Sequence, residues 1–429
     1  MKKLIFIAIM IINLVCIAKN FNVPSGFATI QEAIDNSSPK DTILVDPGTY
    51  KENIIIDNKN ITLISNFVKT GKAEYIIATI IDGREKGSVI TITGDNSLTV
   101  IDGFTIRNGK AESGGGILLD KAHPVLKNLS LINNSAKLKG GAISAFFSEA
   151  CLENLIIKNN STTGVGSSGG GVSFMNSKAS IINSNITNNK ASFGGGIYCN
   201  NSQLTLIDLN VNSNEAQTKG GGLYFLNCDD QNLLRMKIKK NKVLHEKGTG
   251  GGLCFESSNF IMAFCDISYN SSANAAGLFF SYCTPQILNS LIYKNMAIYN
   301  GGAMKCDHSY PKLINVTITA NSAEAGGAIF NTRSSIPDIR NSIIWNNRPE
   351  DFIKDYTSKF KIEYSNITAE INGLGNLKIN PKFIEITKDN YRLSNISPCR
   401  NKGNSDVKYN DFDGSRNDLG AYGGQKGRW

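Results

Sequence analysis

The residues whose types suit chemistry are few. Lys305, Asp307 and His308 bring an ammonium, a carboxylate and an imidazole within four positions, with Tyr282 upstream and the guanidinium of Arg333 downstream. Such a set would serve proton transfer or anion binding if the chain folded it onto one face. The alternative is a charged, solvated turn, and no catalytic residue is assigned. The other two histidines, His123 and His245, have no zinc-spaced Cys or His near them in sequence, so no metal site is expected. Asp229 and Asp230 are an adjacent acid pair. They read as a solvated turn rather than as the paired carboxylates of glycoside hydrolysis.

What would position these groups is a repeat. Two small residues followed by an aliphatic one recur as Gly115-Gly116-Ile117, Gly141-Ala142-Ile143, Gly170-Gly171-Val172, Gly195-Gly196-Ile197 and onward to Gly327-Ala328-Ile329, every 25 to 30 residues. Asparagine follows the same period at Asn108, Asn134, Asn160, Asn189, Asn214, Asn241, Asn270, Asn295, Asn321 and Asn347. A further column runs six residues earlier, from Asp102 and Asn128 to Asn341, interrupted by Arg235 and Phe264. A column of small residues runs from Ala122 and Ser148 to Ser309 and Ser334. The chain between the columns alternates with period two, which means strands.

Repeats of about 26 residues with two or three short strands and no helical segment predict an all-β parallel solenoid. Its coils would stack about 4.8 Å apart and wind right-handed by the crossover rule. Glycine fits tight corners, and asparagine suits left-handed corners and stacked amide ladders. In this frame Arg333 stands one coil beyond His308, and Tyr282 one coil before it. Tyr198, Tyr224, Phe279 and Phe330 fall in an outward column, where an aromatic line would stack on sugars or lie under a neighbouring loop. The longer repeats at Thr162 to Ser168 and His245 to Thr249 would bulge from a turn. The amphipathic run Ala28 to Asn36 reads as a capping helix.

The rest of the chain sets the context. Its 429 residues include 51 asparagines and 41 glycines, and 41% are apolar, enough to build a long core. Lys2 and Lys3 before the apolar run Leu4 to Ile17 have the order of a secretory signal, with Ala18 at the cleavage point; Cys16 is a poor lipobox match. The boundaries expected are 1–18 signal peptide, 19–40 N-terminal cap, 41–350 β-helix, and 351–429 terminal coil with an irregular C-terminal cap or extension. The net charge of +9 falls to +7 without Lys2 and Lys3, and no basic run argues for nucleic acid. No later stretch is long enough to span a bilayer. Cys151, Cys199, Cys228, Cys254, Cys265, Cys283, Cys306 and Cys399 are expected as buried free thiols.

ATIQEAIDNSSPKDTILVDPGTYKENIIIDNKNITLISN (28–66), IDGFTIRNG (101–109) and the tail NPKFIEITKDNYRLSNISPCRNKGNSDVKYNDFDGSRNDLGAYGG (380–424) resemble bacterial right-handed parallel β-helix proteins of the pectin-lyase-like superfamily. The Gly-Gly-aliphatic and aliphatic-x-x-Asn repeats are similar to those of chlamydial polymorphic outer membrane proteins. They differ in lacking the usual Phe, and no autotransporter barrel follows the repeats. The resemblance implies the fold directly and an adhesive role loosely. The expected function is a non-catalytic exported protein presenting an elongated surface to a polysaccharide or surface protein, as a monomer, outside the cell or at the surface or outer membrane. Lys305, Asp307, His308, Arg333, Tyr282, Tyr198 and Tyr224 are the candidate ligand-binding residues. No cofactor is expected; a polysaccharide lyase or glycoside hydrolase is the alternative, and calcium enters only in the case of a lyase. A structural envelope component is the third reading.

Overall fold

The alternation along each repeat, for example Leu204 and Leu206 inward with Thr205 and Ile207 between them, can bury its apolar set only if successive repeats stack in register. The computed structural model describes residues 18–94 and 99–427, and the segment expected to be a signal, with Lys2, Lys3 and Cys16, lies outside them apart from Ala18. One coil shows the plan. Strand Ile197–Asn200 passes to Gln203–Ile207, then Asn210–Asn212, then Glu215–Lys219, before Leu223–Leu226 begins the next coil directly against Ile197–Asn200. Every pairing between the strands of successive coils is parallel, giving sheets of 12, 14 and 13 strands around the core and a fourth of eight strands. The molecule is a parallel β-solenoid of about 13 turns, as the repeat predicts. The central coils carry four strands rather than two or three.

Each corner of this coil is a single residue in the left-handed region: Asn201 (φ 47°), Asp208 (57°), Ser213 (56°) and Gly220 (64°). The residue after each corner turns inward, which is where Ser202, Leu209, Asn214 and Gly221 sit. The large asparagine column therefore does not itself occupy left-handed corners. Asn133, Asn159, Asn188 and Asn346 do, each one residue ahead of it.

The asparagines form the expected ladder, fully inside the core. Nδ2 of Asn134 donates to Oδ1 of Asn160 at 3.1 Å, and the pattern continues coil by coil to Asn347 at 2.9 to 3.0 Å. Asn347 Nδ2 then donates to Asp351 Oδ1 at 2.8 Å. The amide dipoles all point the same way, so their positive end meets a buried carboxylate. Burial raises the Asp351 pKa, with four hydrogen bonds from Asn347 and Thr368 opposing the shift.

Three residues sit one place away from their expected columns. Asn108 is the left-handed corner and Gly109 holds the ladder position; Gly103, not Asp102, is the corner matching Asn128; Ser335, not Ser334, continues the small-residue column.

Helix Ile30–Asn36 is capped by Thr29 Oγ1 and buries Ile30, Ala33 and Ile34. Strands belonging to the main sheets already begin at Asn20–Val23 and continue past residue 350 at Phe352–Lys354, Lys361–Glu363 and Asn366–Ile367. The tail beyond about residue 380 runs back along the flank of the rod instead of closing its end. Tyr391 and Ala421 pack on Leu291 and Tyr293, and Cys399 and Leu419 pack on Ile343. Asn315 Nδ2 reaches Asn417 Oδ1 at 3.1 Å, and Asp389 receives hydrogen bonds from Lys294 and Tyr269. Among the described residues no helix is long and apolar enough to cross a membrane.

Candidate functional site

The corner between the first and second strands of each coil is a continuous left-handed column: Lys121, Phe147, Asn176, Asn201, Asn227, Ser257, Tyr282, His308 and Arg333, with φ between 45° and 57°. Corner residues point away from the core, so whatever occupies this column is displayed along one edge of the rod. Tyr282, His308 and Arg333 are consecutive members, as their spacing predicts. The Tyr282 and His308 rings stack at 4.7 Å and 10°. His308 Nδ1 lies 3.2 Å from Asp307 Oδ1, and Arg333 Nη1 donates to Asp307 Oδ2 at 3.1 Å. Lys305 sits over the Phe330 ring at 5.4 Å. Burial holds its ammonium below the ordinary value, and the Arg333 charge adds to this effect. The Arg333 backbone N–H also donates to Asp355, which is held well below the usual carboxylate range by that bond.

Chemically this cluster is self-satisfied. The Asp307 carboxylate is shared by an imidazole and a guanidinium, while the outer faces of the Tyr282 ring and of Arg333 remain exposed. It suits stacking and hydrogen bonding to a ligand better than proton abstraction. Among the described residues no group of three or more His, Cys, Asp or Glu has the geometry to hold a metal ion.

Tyr198 and Tyr224 are placed elsewhere. They point away from the main core as expected, but the fourth sheet folds over them. They join Cys254, Ala275 and Phe279 in a second apolar core, only 8% and 5% exposed. Tyr224 O–H donates to Glu256 Oε2 at 2.8 Å, and burial pushes the Tyr198 phenol up to about 12. Of the two readings of this aromatic line, the covered one holds for Tyr198, Tyr224 and Phe279, with a sheet rather than a loop as the cover, so Tyr198 and Tyr224 are corrected as ligand-binding candidates. The covering strands were not expected because their sequences, such as Glu215–Lys219, are polar and short.

A second feature of the same corner went unnoticed in the sequence. Beside Lys121, Phe147, Asn176, Asn201 and Asn227, the residues two or three places on are His123, Glu149, Lys178, Gln203, Asp229 and Asp230. They line two adjoining hollows of about 660 and 720 Å³ that share His123, Glu149, Lys178 and Gln203. Glu149, Lys178 and Gln203 are direct register partners. The groove crosses five coils, roughly 19 Å at about 4.8 Å per coil. Asp229 lies at one end, accepting from Asn259 Nδ2 at 2.9 Å, and Cys151 forms part of the floor. The signal available was the column register itself, since these residues share no motif.

Comparison with known proteins adds context. No family model matches the chain. It is 46% identical over 94 residues to a cell surface glycoprotein of Methanothermus fervidus, a match covering 21% of this chain and 14% of that protein. The chain therefore spans about one seventh of that relative's length. Among solved structures it is similar to a pectate lyase (13% identity, 94% of this chain and 96% of that one, TM-score 0.38). It is also similar to a PL6 family polysaccharide lyase from Pseudopedobacter saltans (10%, 90% and 98%, TM-score 0.41) and to a polygalacturonase from Erwinia carotovora ssp. carotovora (14%, 83% and 96%, TM-score 0.30). At these values the likeness transfers no activity.

Proposed function

We propose that this protein is a non-catalytic surface rod that binds an extended polysaccharide lengthwise in the groove between His123 and Asp230. The observation carrying this reading is the register: one set of outward polar side chains is presented per coil, about every 4.8 Å. That repeat is close to the advance per sugar of a fully extended pyranose chain, so successive residues of one ligand meet equivalent rungs. Three carboxylates, Glu149, Asp229 and Asp230, against the single lysine Lys178 make the groove acidic, which disfavours polyuronates and favours a neutral glycan. Phe147, 59% exposed, supplies a stacking surface on its rim.

Tyr282, His308 and Arg333 continue the same corner, with Lys305 and Asp307 beside them, and extend the ligand surface toward the basic end. Tyr198 and Tyr224, being covered, are not offered as contacts. A location at the cell surface belongs to this proposal, supported by the cell surface glycoprotein match, and association with an outer membrane is its finer form.

The test is calorimetric titration of the whole chain with cellohexaose and chitohexaose, alongside maltohexaose and polygalacturonate. Cys151 is followed in parallel: it is the one cysteine among those described that is not buried, so a thiol reagent should modify it first, and bound glycan should slow that reaction. Lys178→Ala with Gln203→Ala should weaken binding about tenfold, the effect of losing two hydrogen bonds. If the extended hexaoses neither bind nor protect Cys151, the groove assignment is wrong. Cleavage of any of these polymers would replace the non-catalytic reading with an enzymatic one.

A further inference from the structure

The inward column after the first corner is built of small polar residues. Ser148, Ser177, Ser258 and Ser309 each accept a backbone N–H from the preceding coil and donate to the carbonyl two residues back. Cys228 occupies that position in its coil, its Sγ 3.2 Å from the Leu226 carbonyl where Ser258 Oγ lies 2.7 Å from that of Glu256. One coil back, Cys199 is the third residue of strand Ile197–Asn200, a position filled by Phe in three of the next coils, as Phe225, Phe255 and Phe280. The smaller side chain leaves the two sulphurs facing each other. They are 3.3 Å apart and both fully inside the core.

We infer that Cys199 and Cys228 form a redox pair that closes to a disulfide between adjacent coils. The sulphurs must approach by about 1.2 Å to reach the bond length of about 2.05 Å. The oxidant is a small-molecule disulfide. The Cys228 thiolate attacks one of its sulphurs, forming a mixed disulfide and expelling one thiolate. The Cys199 thiolate then attacks Cys228 Sγ and expels the second. Two thiol protons leave the protein, and its two electrons leave with the oxidant as two thiols. Both sulphurs are sealed from solvent in the closed rod, so the exchange takes place while the coils are open, during folding. The resulting staple closes a loop of 29 residues.

The whole chain should be refolded with mixed oxidised and reduced glutathione, alkylated, digested and mapped without reduction. The expected result is a linked peptide pair containing Cys199 and Cys228, the loss of two thiols titratable in denaturant, and a Tm about 5 °C above that of the reduced protein. Cys228→Ser places the column's common residue at that position, so this variant folds; oxidation should leave its Tm unchanged. Full alkylation of both cysteines after oxidation, a linkage to a different cysteine, or an equal Tm gain in Cys228→Ser would each overturn the inference.

Discussion

Asn241 shows what a single side chain does in this molecule. Its Oδ1 accepts from both the backbone N–H and the Nδ2 of Asn214, and its own Nδ2 donates to Val211 O and Asn270 Oδ1. Truncation to alanine strands buried donors and acceptors above and below, which costs far more than one net hydrogen bond. Asn241→Ala should lose about 2 to 4 kcal/mol in a denaturant titration, whereas Asn346→Ala, at an exposed corner, should lose under about 1 kcal/mol. A similar loss in both would mean that the ladder contributes nothing beyond corner geometry. The asparagine period was legible in the sequence, but its assignment to corner or core was not. Asn133 and Asn134 are adjacent and identical in type, and only the backbone decides which one turns inward.

At the scale of the strand and its corner, Gly220 carries the argument. It lies at φ 64°, and an added Cβ would fall 2.4 Å from Leu223 O and 2.6 Å from Tyr224 Cβ. The residue therefore meets two demands, a left-handed backbone and close approach to the next strand. Gly220→Ala should destabilise the protein by roughly 2 to 3 kcal/mol, with the extra cost over a bare left-handed penalty coming from displacement of Tyr224 in the second core. Near-neutral melting behaviour in this variant would show that the fourth sheet is free to shift. The period-two strands of the first three sheets were readable because each has one buried face. The fourth sheet escaped notice because its buried side is narrow. Only Ala136, Ala191 and Ala216 and their equivalents turn inward, and these small residues leave a weak hydrophobic pattern.

For the whole molecule, the tail is the element whose placement the sequence concealed. Its turn-rich composition suggests an end cap, yet its apolar residues are too dispersed to show that they match the flank at Leu291, Tyr293 and Ile343. Asp411 is half-buried among residues of the tail itself, and burial together with the charges of Asp418 and Asp413 lifts its pKa to about 6, against the bonds from Gly424 and Asp418 N–H. A raised carboxyl pKa means that the folded state prefers the neutral acid. The associated stability is present below the ordinary value near 4 and is lost as pH rises through about 6. Tail protection from limited proteolysis should therefore decline between pH 4.5 and 7.5, and Asp411→Asn should flatten that decline. An unchanged slope in the variant would assign the dependence to other groups.

The shared bonding plan of the central coils means that reach is quantised. Excising the 26 residues from Ile197 to Gly222 joins Gly196 to Leu223, another glycine-aliphatic junction, so that each sheet meets a partner of the same register. The shortened protein should remain folded by circular dichroism, while its best-bound oligosaccharide should become one sugar shorter. The solenoid would then act as a gauge whose graduations are its coils, set by the number of turns rather than by the chemistry of any one of them.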